Sequence, residues 1–193
     1  KVSYVPLAVL AFAQIGTSSD SAAMNLATAS LVGSLGATLD DIQVATTLFS
    51  LIAGAFMIAG GLVGITIGLR RGLSIGLFMA FVGEVVAALS PNILVFTWIG
   101  RVIMALAALY QGRQRAIAFG TIAGAAALST LSPLALGAVM DSAGFRLTFA
   151  IMAAYFACML ALTRLVPSLP PASKSTHFDV AGTVVAACGL GLM

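Results

Sequence analysis

The sequence predicts an all-α membrane protein, a bundle of six bilayer-spanning helices followed by the start of a seventh transmembrane helix. Three observations carry that prediction. The 193 residues are 8% charged and 61% hydrophobic, with a mean hydropathy of +1.12, whereas soluble domains are about 25% charged. No folded core of this size could hide so much apolar surface from water. Apolar runs of roughly 20 residues, the length a helix needs to cross hydrocarbon, repeat along the chain with brief polar interruptions. These runs, Leu48 to Leu69 for instance, do not alternate in polarity, which excludes a transmembrane barrel, whose strands read as alternating segments of about 10 residues.

The spans follow in order, each placed to within about three residues. The first occupies about 5–33 and contains Asp20; the second, about 43–68, follows the acidic turn Asp40–Asp41. The third, about 72–89, opens after Arg70 and Arg71 and contains Glu84; the fourth, about 93–112, starts beyond Pro91 and contains Arg101. The fifth and sixth are expected at about 116–140 and 147–166. Together residues 1–166 form the six-helix bundle, 167–178 (PSLPPASKSTHF) a Pro- and Ser-rich cytoplasmic linker, and 179–193 the start of a seventh span, apolar from about Ala181. The sequence starts without an initiator Met and stops inside that seventh apolar run, so a fragment of a longer chain is expected. Arg101 and Arg115 are close in sequence for residues separated by a membrane interface, and a stretch missing near Ala107 to Leu109 would account for it.

Orientation comes from the basic residues. With a cytoplasmic N-terminus the inner connections hold Lys1, Arg70, Arg71, Arg113, Arg115, Arg164 and Lys174, and the outer ones only Arg146. The positive-inside rule selects that arrangement, a multi-pass protein of the plasma (inner) membrane. The basic residues are too scattered for a phosphate-tracking patch, so no nucleic acid partner is expected. Cys158 and Cys188 fall in apolar runs as small hydrophobes. Enzymatic chemistry is not expected: His177, the sole histidine, sits in the linker, and no hydrolytic dyad, metal cluster or phosphate loop is written in the chain.

Three ionisable residues fall within spans: Asp20, Glu84 and Arg101. Each costs at least about 2.5 kcal/mol if unpaired near a helix centre, so such residues face a bundle interior or a water-filled cavity and find partners. At a rise of about 1.5 Å per residue, Glu84 lies roughly 10 Å and Arg101 roughly 15 Å from the outer turn at Pro91, and Asp20 reaches the same outer half. The three are thus able to share one layer. Asp20 and Arg101 form either a static pair that orders the helices or one that breaks during transport. Glu84 is either a proton carrier, since a buried carboxyl without a cation is costly to keep charged, or an idle acid hydrated at the interface.

The order of motifs resembles the major facilitator superfamily, and within it the N-terminal half of the fourteen-span drug/proton antiporter family. In the first span, SDSAAMNLATA is similar to the family's Leu-Asp-x-Thr-x-x-Asn-x-Ala-x-Pro, keeping Asp20, Asn25 and Ala27 but carrying Ala22 and Ala29 for the Thr and Pro. GLVGITIGLRRG resembles the Gly-x-Leu-x-Asp-x-x-Gly-Arg-Arg cytoplasmic gating loop at Gly61, Gly68, Arg70 and Arg71, with Ile65 in the acidic position. Arg101 matches the Arg-x-x-x-Gly motif, Ala105 replacing its Gly, and STLSPLALGAV keeps Pro133 and Gly137 of the antiporter motif, with Ser132 and Leu136 in place of two glycines. GFRLTF matches Trp-Arg-x-x-Phe at Arg146 and Phe149, and HFDVAG matches Phe-Asp-x-x-Gly at Phe178, Asp179 and Gly182.

The resemblance implies a six-helix N-terminal bundle of a major-facilitator-type transporter that pairs with a second bundle in the same full-length chain. It further implies a secondary exporter of amphiphilic or hydrophobic compounds with no cofactor and the proton as coupling ion, Arg101 being the residue the family ties to proton coupling. The partners expected are membrane lipids and a small amphiphilic substrate. A lipid or lipid-linked glycan flippase on the same scaffold is the alternative, favoured by the missing loop acid at Ile65 and the replaced glycines.

Overall fold

A computed structural model describes residues 5–107, 109–110 and 131–166, and within them every regular element is helical. The chain begins with α1 (Val5–Leu26) and α2 (Thr28–Leu35). The two are one rod, because Ala27 between them keeps right-handed helical geometry and the bonds from Ala27 N to Ala23 O (2.9 Å) and from Leu31 N to Ala27 O (2.8 Å) run through it. Gly36 ends the rod at φ +62°, the left-handed cap that glycine tolerates without a Cβ clash.

The second helix, α3 (Leu39–Ile67), starts about four residues earlier than apolarity alone implies. A capping box is the reason. Thr38 Oγ1 accepts from Asp41 N at 3.1 Å, and Asp41 Oδ2 accepts from Thr38 N at 2.9 Å, so two otherwise orphaned donors are satisfied. The Thr38 N–H, and then its hydroxyl, hold the Asp41 carboxyl below its ordinary value.

The gating loop expected between the second and third spans is a single residue. Gly68 (φ +84°, ψ +157°) alone separates α3 from α4 (Leu69–Leu89); Arg70 and Arg71 belong to the first turn of α4, and Gly61 lies inside α3. Helical periodicity there continues on both sides of the glycine, and a sequence pattern does not show where one permissive residue reverses the chain.

The fourth span is not a uniform α-helix. Asn92 Oδ1 caps α5 (Ile93–Val95) by accepting from Val95 N at 2.9 Å; a π-helical segment (Phe96–Arg101) follows, and then α6 (Val102–Leu106). The last described helix, α7 (Ser132–Leu162), contains both the described end of the fifth span and the sixth, before a 3₁₀ turn at Thr163–Leu165. The expected outer connection between them reduces to Gly144 at φ +76°, ψ +178°. Ser30 Oγ of α2 accepts from Phe145 N at 3.1 Å, so a neighbouring helix caps the new start.

After Gly144, α7 runs antiparallel to α4 and to the first rod. Near its start Arg146 donates to the carbonyls of Ala88 (3.3 Å) and Ser90 (3.1 Å) at the C-terminal end of α4, and near its end Thr163 accepts from Ser74 Oγ (3.1 Å). On the other side Tyr155 donates to Phe12 O at 2.7 Å. Two buried apolar clusters result. One gathers Leu10, Leu73, Leu77, Met104, Phe156 and Met159, and the other Met24, Leu31, Ala87, Met140 and the mutually edge-on rings of Phe96, Phe145 and Phe149.

Among the described residues α4 and the fourth span approach backbone to backbone. A Cβ built on Gly83 would lie 2.8 Å from Met104 N and 2.9 Å from Gly100 O, and one on Gly100 would lie 3.1 Å from Ala87 N. Small residues let backbones approach this closely in lipid. Gly83→Val is therefore expected to lower stability by about 1–3 kcal/mol, as overpacking does, while Gly33→Ala, where a Cβ meets nothing within 4 Å, leaves it unchanged. Thermal unfolding of both variants in one detergent checks this, and equal midpoints would refute the contact.

Candidate functional site

The boundary between the two apolar clusters is where the charges lie. Along α4 it falls between Ala80 and Ala87, along the fourth span between Phe96 and Met104, and along α1 directly after Ala23, one turn beyond Asp20. Glu84 and Arg101 occupy the first two intervals and Asp20 lies next to the third boundary; the relative exposures of Asp20, Glu84 and Arg101 are 0%, 0% and 1%.

Arg101 forks both oxygens of Asp20: its Nη1 donates to Oδ1 at 2.6 Å and its Nη2 to Oδ2 at 3.0 Å. This is the bidentate geometry that makes guanidinium–carboxylate pairs strong and directional. The Phe49 ring of α3 lies under the guanidinium, 4.4 Å from centroid to Cζ, so the cation has an aromatic face as well as an anion. The π-helical segment sets this up, since Arg101 is its last residue and Gly100 makes the close contact with α4. Single-turn π segments inside α-helices occur frequently at functional sites.

Glu84 follows Gly83 directly, so the backbone contact that brings the helices together also delivers its carboxyl to the pair. Both Asp20 and Arg101 act on it electrostatically. Among the described residues neither Glu84 carboxyl oxygen has a hydrogen-bond partner of acceptable geometry, and neither does Arg101 Nε. Glu84 is completely buried within the bundle. A buried acid and a buried N–H are left unspent beside a buried ion pair.

The remaining motif residues divide by position. Asn25 is exposed and, with Thr28, lines a cleft of about 380 Å³ whose opposite wall is Ile42, Gln43, Thr46 and Thr47 of α3. Pro133 sits in the first turn of α7, where its missing N–H has no helical partner to lose. Gly137 does not mark a close helix contact, because a Cβ there meets only Leu26 Cδ1 at 3.8 Å. Arg146 and Phe149 serve the end of the bundle near Gly144, Arg146 on the α4 carbonyls and Phe149 in the aromatic cluster. Cys158 is exposed on α7. Arg113, Arg115, Asp179, Gly182 and Cys188 lie outside the described residues.

Two contributors escaped the sequence reading: Phe49, one apolar residue among many, and the Gly83–Gly100 contact. The latter had a legible signal in the Gly83 and Ala87 pair at i, i+4.

No family model matches the sequence, and no curated protein sequence does. Solved structures do. A crystal structure of the peptide transporter POT in complex with sulfate superposes with a TM-score of 0.74 at 15% identity, covering 97% of this chain and 43% of that one. A point mutant of the same transporter in complex with alafosfalin gives a TM-score of 0.74 at 15% identity over 96% of this chain and 44% of that one. The fold is that of a major-facilitator-type transporter. This chain thus spans less than half the length of those transporters. Among the described residues Arg70–Leu89, about 30 Å at 1.5 Å per residue, and Ser132–Leu165 each have the length and apolarity to cross a bilayer, as in a membrane protein.

Proposed function

We propose that the protein is the N-terminal bundle of a secondary exporter of amphiphilic compounds, driven by protons moving inward through the Asp20–Glu84–Arg101 site. The observation that carries this is the fully buried fork between Asp20 and Arg101 with Glu84, equally buried, acting electrostatically on both. A static structural pair has no use for a second buried carboxyl. A proton carrier does, because it must offer an alternative charge state without emptying the interior of counter-ions.

Access to the site is supported by polarity. Gln14, Ser18, Ser21, Asn25 and Thr28 recur at helical spacing along the first rod next to Asp20, and Gln43, Thr47 and Ser50 do so along α3. Ser21, Asn25, Gln43, Thr47 and Ser50 are exposed, in a chain whose other exposed surface includes Phe12, Phe78 and Trp98. Polar residues at membrane depth face a water-filled cavity rather than lipid, and in two-bundle transporters that cavity lies between the bundles around a site near the midplane. The solved neighbours carry peptides in their names, but at 15% identity the likeness reaches the fold alone. An amphiphile suits a face that mixes hydroxyls and amides with apolar side chains.

The test is proton release from everted vesicles containing the full-length protein when a cationic dye is added. Release is expected with the native sequence and is expected to vanish in Glu84→Gln, with insertion and folding retained. Unchanged pH-driven transport in that variant would remove Glu84 from the mechanism. Silence with every dye, together with movement of a labelled lipid between leaflets, would favour the flippase.

A further inference from the structure

At the end of the bundle remote from Asp40, Asp41 and Asp141, a cleft of about 440 Å³ opens between the start of α4 and the end of α7. Arg70 and Ser74 line one side of it, and Ala157, Leu160, Thr163 and Arg164 the other. Among the described residues no acidic side chain lines it and neither arginine has an ion-pair partner. Two guanidinium groups facing one cleft repel each other, and at the edge of the hydrocarbon, where water is thinned, that repulsion is poorly screened.

The hydroxyls do not relieve it. Ser74 Oγ donates to Thr163 Oγ1 (3.1 Å), and Thr163 Oγ1 donates to Leu160 O (2.6 Å), so both hydroxyl protons are committed. The unspent donors of the cleft are the guanidinium N–H groups, which match phosphate oxygens in pairs. In the sequence, the position from which the resembled loop motif would supply an acid to these arginines is Ile65. Among the described residues no anion faces the cleft. The rest of the wall is Ala157 and Leu160, with Leu165 exposed nearby, an apolar surface continuous with that of two spanning helices.

We infer that this cleft binds the phosphate of an anionic membrane lipid, Arg70 and Arg164 clamping the headgroup while an acyl chain lies along Ala157 and Leu160. Basic pockets between transmembrane helices at the positively charged membrane face suit anionic headgroups. Two arginines without a protein anion select net negative lipids over zwitterionic ones.

The experiment is thermal unfolding of the purified full-length protein in a neutral detergent, with phosphatidylglycerol, phosphatidylcholine or inorganic phosphate added at equal concentration. Near-saturating phosphatidylglycerol is expected to raise the midpoint by about 5 °C, and phosphatidylcholine to leave it in place. In Arg164→Gln, an exposed position whose replacement spares the packing, the concentration needed for the same shift is expected to rise at least about tenfold, the effect of losing one charge-assisted contact. Arg70→Gln combined with Arg164→Gln is expected to abolish the shift; if that variant does not fold, Arg164→Gln alone decides. An equal shift from phosphatidylcholine, an undiminished response in Arg164→Gln, or a full shift from inorganic phosphate alone would each overturn the lipid site, the last in favour of a free-anion site.

Discussion

Combining Asp20→Asn with Glu84→Gln is expected to destabilise the bundle by on the order of 3–5 kcal/mol, the cost of leaving a buried charge without any counter-ion. Each single change is expected to be far milder. A carboxyl can shed its charge by binding a proton, but a guanidinium cannot, so Arg101 at 1% exposure must keep an anion within reach. In Asp20→Asn that anion is Glu84, which lies in the same buried site and already acts electrostatically on Arg101. In Glu84→Gln the fork from Arg101 to Asp20 at 2.6 and 3.0 Å is untouched. The double variant leaves only the Phe49 ring, and a cation–π contact contributes about 2 kcal/mol when desolvated, too little to replace a carboxylate. A double-mutant cycle on unfolding midpoints measures the effect. The coupling energy should reach about 0.5–3 kcal/mol, the range for residues in one network, and strictly additive losses would show that Glu84 never serves Arg101.

How much of this was legible in the sequence differs by element, and for physical reasons. Spans one to four were written in apolarity, because hydrocarbon imposes a length on any helix that crosses it. The charged layer was legible too, since a charge in a span must find a partner, and counting along Asp20, Glu84 and Arg101 placed all three at similar depth. Connections were not. Gly68 and Gly144 each turn the chain alone at positive φ, and a lone glycine in an apolar run looks like any other small residue. Ser30 capping Phe145 and Arg146 closing the carbonyls of Ala88 and Ser90 join helices distant in the chain, so no local pattern announces them. The π segment at Phe96–Arg101 was invisible for a further reason: it coincides with the Gly83–Gly100 contact, a tertiary event. Gly137, a motif glycine, has described neighbours that leave room for a methyl group.

If the proposed export reading holds, Arg101→Lys is expected to abolish proton-coupled export while leaving a folded bundle. Lysine conserves the charge, so Asp20 and Glu84 keep a cation and the interior stays compensated. What it removes is geometry. The guanidinium makes two parallel bonds to Asp20 and lies flat on Phe49, and a point-like ammonium on a flexible stem reproduces neither arrangement. Losing one charge-assisted hydrogen bond shifts the balance between conformations by about 1.5–3 kcal/mol, a change of roughly tenfold to a hundredfold in their ratio. A transporter that alternates between a state holding the fork and a state releasing it to a proton needs those states near balance, and a shift of that size leaves one of them scarcely populated. Dye efflux and proton release measured together in vesicles, alongside the unfolding midpoint of the same preparation, separate the two consequences. Native export rates in Arg101→Lys would mean that charge alone serves the site and that the fork is structural. Collapse of the fold would mean that the pair's geometry, and not its charge balance, holds α1 to the fourth span.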